Sequence, residues 1–260
     1  MNLLEKFDKI GARAKVHEAT SQRRGVASNG IRLDILQDNG GEYFDIAVNG
    51  ESEISILDVQ PQDRHLLLMA KNGKEKSKFL CGHDERHWFV AAIPERAAVG
   101  TVRQAKEALK PAEIQNRQVG LKKEKRNKRK NSAYIRQGEW FFIPANINPD
   151  KLLILKNEPI RRGGGKPHMA EFCYRSGGET VYVCMSYPNG VNERTYKGLL
   201  RSNHAAKSYN WTTMRRNAAV YVKGTIRHSD HKTINLVGCH RVVMNTETQA
   251  AAMRNVAFLD

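Results

Sequence analysis

The sequence predicts an α+β fold: two small domains rich in antiparallel strands, joined by a basic linker. Three observations lead there. Apolar and polar residues alternate through much of both halves, as in strands with one covered face. Helical spacing is confined to short stretches near the start, after residue 101 and after residue 192. Between the halves, residues 113–133 hold few apolar side chains and many Lys and Arg. The expected organisation is a near-neutral α+β domain at 1–112, a flexible linker at 113–133 and a basic β-rich domain at 134–260.

Taken in order, Leu3, Leu4, Phe7 and Ile10 recur at helical spacing and predict an amphipathic helix over 2–17, ending near Gly11 or later. Glu5, Lys6, Asp8 and Lys9 interrupt any apolar stretch there, so it does not read as a signal peptide. Ile31, Leu33 and Ile35 alternate with polar residues, Asp38-Asn39-Gly40-Gly41 is a turn, and Tyr43, Phe44, Ile46 and Val48 form the return strand. Further strands are predicted at 53–59, 64–70, 76–81 and 87–93. Thr101 caps a helix from Val102 to Lys110, which Pro111 stops.

Beyond the linker, strands resume at Tyr134-Ile135, at Trp140 to Ile143 and at Leu152 to Leu155. Residues 171–184 read as a hairpin with Gly177-Gly178 as its two-residue turn, Phe172, Tyr174, Val181 and Val183 sharing a face. Asn192 caps a helix through Tyr196, Leu199 and Leu200, a second short helix is predicted at 211–217, and strands at 221–227 and 232–244 complete the domain.

Charge is distributed unevenly. Residues 1–112 carry 17 Lys and Arg against 16 Asp and Glu, while residues 113–260 carry 26 against 11. An excess of +15 gathered behind residue 112 points to a polyanion, since neutralising phosphates releases condensed counterions. The four cysteines are scattered with no C-x-x-C, which argues for a reducing compartment and a cytoplasmic protein. No apolar run reaches the roughly 18 residues a membrane span needs.

Five features could carry chemistry. Lys122, Lys123, Lys125, Arg126, Lys128, Arg129 and Lys130 could track phosphates, or simply solvate a linker. Arg161, Arg162 and Lys166 flank Gly163-Gly164-Gly165, where the backbone could approach a phosphate; the spacing is not a Walker loop, and a plain turn fits equally. Seven of eight tyrosines and two of three tryptophans follow the linker and could stack unpaired bases where exposed. Gly82 to His87 holds acids, bases and possible ligands, but a polar turn is needed between those strands anyway.

The fifth feature is Arg227-His228-Ser229-Asp230-His231. A two-residue turn at Ser229-Asp230 would face His228 across to His231, but it sets Val222 and Ile226 against the face of Ile234 and Leu236. A three-residue turn, Ser229 to His231, instead gathers Val222, Gly224, Ile226, Ile234, Leu236, His240, Val242 and Met244 on one face. The reverse face then carries Tyr221, Lys223, Thr225, Arg227, Thr233, Asn235 and Arg241, a polar, basic surface suited to nucleic acid. In that register His228 and His231 are not partners across the strands, so no metal is expected and the pair stands only as a candidate ligand set.

The leading expectation is a nucleic-acid-binding protein, for RNA or single-stranded nucleic acid, that needs no cofactor. The front domain is left for protein contacts or oligomerisation. No helix with a basic face suggests reading of duplex DNA, whereas Tyr and Trp are plentiful. The alternative is a metal-dependent nuclease or phosphodiester enzyme using a divalent metal at His228, Asp230 and His231 with His168 or Glu171. A third is an accessory subunit of a larger ribonucleoprotein or effector assembly. No G-x-S-x-G or H-E-x-x-H is present.

Overall fold

The computed structural model describes residues 2–19, 30–162 and 166–251. Strands dominate, with few and short helices. The front half contains α1 (Leu3–Asp8), β1 (Arg13–Glu18), β2 (Ile31–Asp38), β3 (Gly41–Val48), β4 (Glu53–Gln60), β5 (His65–Asn72), β6 (Glu75–Asp84) and β7 (His87–Ile93). The β2–β3 hairpin closes with Asp38 opposite Gly41, as its turn residues predict. The opening helix is shorter than its periodicity suggests. Gly11, at φ +74°, ends it with paired bonds from its own N–H to Asp8 and from Ala12 N–H to Phe7. The chain then turns into β1, which lies parallel to β3.

Strands β4 to β7 form a meander with the order β4-β5-β6-β7. Its central run is apolar without alternation because both faces are covered. Leu66 and Leu68 pack with Phe7, Phe44 and Ile46 towards the three-stranded sheet, while Leu67 joins Leu80, Ile93, Val102 and Ala105 on the other side. Val102 and Ala105 belong to α2 (Val102–Ala108), which opens with the capping box expected of Thr101: its hydroxyl accepts from Gln104 N–H at 3.2 Å.

The segment expected to be a flexible linker instead carries α3 (Ala112–Arg117) and α4 (Lys123–Arg126). Sparse anchors hold it. Ile114 and Tyr134 are buried with Ala133, Phe141 and Ile143. The Lys110 ammonium, 3% exposed, donates to Glu107 at 2.8 Å, Gln118 at 3.0 Å and the Arg126 carbonyl at 2.9 Å. The Tyr134 hydroxyl donates to that same carbonyl at 2.7 Å. Composition missed this because the apolar contacts come from the flanks rather than from within the basic run.

The back half follows as β8 (Ile135–Gln137), β9 (Trp140–Pro144), β10 (Leu155–Ile160), β11 (His168–Ser176), β12 (Glu179–Cys184), β13 (Tyr187–Asn192), α5 (Glu193–Ser202), β14 (Thr212–Arg216), β15 (Ala219–Arg227) and β16 (Ile234–Met244). Six strands form one antiparallel sheet, β10-β11-β15-β16-β9-β8, and three form a smaller one, β13-β12-β14. The Asn192 side chain caps α5 through Thr195 N–H at 2.9 Å, as predicted.

Two expectations fail together. Gly177-Gly178 is not a hairpin turn, and residues 212–216 are a strand rather than a helix. Ser176 pairs with Ala219, and Glu179 pairs with Arg216 in the same register. Residues 172–183 and 212–223 therefore make one long ribbon, and the glycines (φ +67° and +79°) bend it from the large sheet into the small one. Asn217, at φ +60°, makes the matching bend opposite. Positive φ fits a bend as well as a turn, so the Gly-Gly pair alone could not distinguish them. Cys173, assigned to an outer face by the hairpin reading, is buried in the core beside Val222.

Candidate functional site

The β15–β16 ladder keeps the face assignment predicted from apolar alternation. Ile226 pairs with Ile234 and Gly224 with Leu236; beyond a bulge, Val222 pairs with His240 and Tyr221 with Arg241. Val222, Ile226, Leu236 and His240 are buried, whereas Lys223, Arg227, Asn235 and Arg241 are exposed and Tyr221 is half-buried. Cross-strand partners share a sheet face. The pairs Ile143–Arg241, Arg241–Tyr221 and Tyr221–Tyr174 therefore run across one side of the sheet, and Phe172–Lys223 lies on it too.

Segment 112–134 is mounted on that same side. Ile114 and Tyr134 pack on Ile143 and Phe141, and Glu113 of α3 reaches Arg241 at 3.1 Å. Lys122, Lys123, Lys125, Lys128 and Lys130 are exposed, and none makes an ion pair among the described residues. The other predicted cations are more engaged. Arg126 is partly buried and donates to the Leu121 carbonyl at 2.9 Å. Arg129 pairs with Asp84 and Glu85, Arg162 with Glu247, and Lys166 with Asp230 at 2.7 Å. Arg161 is exposed, and Arg227 donates to Asn157 at 3.0 Å. Gly163 to Gly165, the proposed phosphate approach, lie outside the described residues.

The Gly82 to His87 segment is the end of the β6–β7 hairpin, with only Glu85-Arg86 in the turn and Gly82 to Asp84 and His87 paired within the strands. Its acids serve the structure: Asp84 pairs with Arg129 and Arg136, and Glu85 accepts the Lys232 N–H as well as Arg129. His87 Nδ1 lies 2.6 Å from Glu42.

Of the two further ligands the sequence offered beside His228 and His231, His168 and Glu171, the structure brings in His168. His168, at the start of β11, is fully buried, and its ring stacks 4.1 Å from His228 and 5.5 Å from His231. His228 and His231 are 4.7 Å apart, brought together by the β15–β16 connection rather than by the ladder. One ligand nitrogen from each ring lies within 4.8 Å of the others. His168 Nδ1 and Nε2, His228 Nε2 and His231 Nε2 are buried and have no hydrogen-bond partner among the described residues. Leaving such a group unpaired costs about 1–3 kcal/mol, so a closed protein interior has little reason to collect four.

The rings are held neutral. Burial, then the neighbouring His228 and His231, lower the His168 pKa to about 3; burial and His228 lower His231 to about 4; burial lowers His228. Asp230, the fourth member of the predicted cluster, turns its carboxylate to Lys166. Glu171 is also elsewhere: it accepts the Thr225 N–H at 2.8 Å where Gly224 leaves room for it.

A cavity of about 310 Å³ opens between the halves, lined by His65, Asp84, Arg129, Arg136, Glu139 and His231 among others. Its charges are mixed and largely tied to one another, as in the Asp84–Arg136 pair. No helix among the described residues is long and apolar enough to cross a membrane. Comparison of the chain with protein-family models, curated proteins and solved structures finds no match.

Proposed function

We propose that this protein binds nucleic acid, RNA or another single-stranded form, on the outer face of the six-stranded sheet together with segment 112–134. The observation that carries the reading is their common side: the strand pairs align Tyr174, Tyr221 and Arg241, and the lysine-bearing segment packs beside them through Ile114 and Tyr134. The ligand's phosphates would meet Lys122, Lys123, Lys125, Lys128, Lys130, Lys223 and Arg227, none of which makes an ion pair among the described residues, although Arg227 lies in the field of Glu171. Tyr221 and Phe172 offer partly open rings for stacking. Arg129, Arg162, Lys166 and Arg241 are occupied by internal pairs and contribute less than their number suggests.

The test is the salt dependence of binding to a fluorescent single-stranded RNA, with duplex DNA as comparison. Seven phosphate contacts give a slope of log K against log salt of about −5 for a single strand. Replacing Lys122, Lys123, Lys125, Lys128 and Lys130 with Ala should reduce the slope by about 3.5. An unchanged slope, or equal binding by the full chain and the five-fold variant at all salt concentrations, defeats the reading.

A further inference from the structure

We propose that His168, His228 and His231 bind one transition-metal ion, Zn²⁺ by preference, through three imidazole nitrogens, with one coordination position left to a non-protein ligand. This goes beyond nucleic-acid binding and does not depend on it. Two independent features point to the ion. The first is the convergence of unpartnered nitrogens: three buried rings from two separate parts of the chain aim donor atoms into a space no more than 4.8 Å across, and no protein acceptor or donor is there to meet them. The second is Gly138, between β8 and β9. A Cβ there would lie 2.7 Å from His231 Nε2 and 3.4 Å from His168 Nε2, so the space beside those nitrogens is kept free by the lack of a side chain.

The donor set selects the metal. Neutral imidazoles suit zinc, copper, nickel and iron, whereas magnesium and calcium require oxygen ligands. No cysteine belongs to the group. A tetrahedral zinc with bonds of about 2.0–2.1 Å holds its nitrogens about 3.3 Å apart, so a modest inward movement suffices. Its source is the β15–β16 connection, which carries two of the three ligands.

Neighbouring groups would orient the ligands. Gln137 Nε2 donates to the Lys232 carbonyl at 2.7 Å and positions the residue after His231. The Asp230 N–H donates to His228 Nδ1 at 3.1 Å, which fixes that ring and leaves its Nε2 facing the other two histidines. Three histidines with an open fourth position are the ligand pattern of catalytic rather than structural zinc sites. His231 and Gly138 also line the cavity between the halves, which gives that position a route to solvent.

The full chain, stripped with a chelator and titrated with Co²⁺, reads the site directly. The expected result is one Co²⁺ per chain with intense visible absorption of a four-coordinate site, abolished by one equivalent of Zn²⁺. Zinc retained after gel filtration should be near one per chain by elemental analysis. His231→Gln and His168→Phe should each lose stoichiometric retention while His204→Ala, which changes an exposed histidine, retains it. Weak, non-saturating Co²⁺ absorption by the wild-type chain overturns the proposal whether or not any variant folds. Equal zinc retention by folded His168→Phe and His231→Gln overturns it as well.

Discussion

Substitution of Gly178 tests whether the Gly177-Gly178 pair bends a continuous ribbon. Both glycines have positive φ, +67° and +79°, so alanine at either costs about 1–2 kcal/mol. Their surroundings differ. A Cβ at Gly177 meets nothing within 4 Å, whereas at Gly178 it would lie 2.7 Å from the Arg216 carbonyl oxygen and 2.8 Å from Ala218 N. Those are backbone atoms of the paired strand and cannot swing aside like a side chain. Overpacking of this kind adds about 1–3 kcal/mol, giving roughly 1–2 kcal/mol for Gly177→Ala and 2–5 kcal/mol for Gly178→Ala. Urea unfolding followed by circular dichroism measures both as shifts in midpoint at constant slope. In a two-residue hairpin turn both glycines would sit at the tip and the two costs would match. Equal values would refute the bent-ribbon assignment.

Other outcomes follow from particular contacts. His65 is buried against Phe89, and burial lowers its pKa to about 4 from an unfolded value near 6.5. Because the unfolded chain takes the proton first, stability should fall as pH drops from 6.5 towards 4, by up to about 3 kcal/mol from this group; His65→Gln should flatten the stability–pH curve there, and an unchanged curve would contradict the assignment. Thr101→Ala removes the hydroxyl that accepts from Gln104 N–H and should cost about 1 kcal/mol in thermal or urea unfolding. Lys110→Met deprives the Arg126 carbonyl and Gln118 of a buried partner and should cost about 1–3 kcal/mol. It should also speed limited proteolysis between residues 118 and 131; a wild-type cleavage rate would mean that Lys110 does not anchor the segment.

What could be read from the sequence is what depends on a residue and its near neighbours. Alternation fixed the faces of β15 and β16, because a slip of one residue would have turned Val222, Ile226 and Leu236 to water. The Asn39-Gly40 turn and the caps at Thr101 and Asn192 are equally local. The charge difference between the halves is a property of composition and needs no fold.

Tertiary structure decided the partnerships between elements distant in sequence. Gly177-Gly178 requires positive φ in a turn and in a bend alike; the choice was made by residues 212–216, which supply a partner strand nearly forty positions away. Segment 112–134 looked unanchored because its apolar partners, Phe141 and Ile143, lie on β9. His168 stands sixty residues before His228 with no spacing to connect them; only the pairing of β11 with β15 delivers its ring to the other two. Local patterns set the conformation of a stretch of chain, whereas the surface it meets depends on the energy of the whole packed molecule.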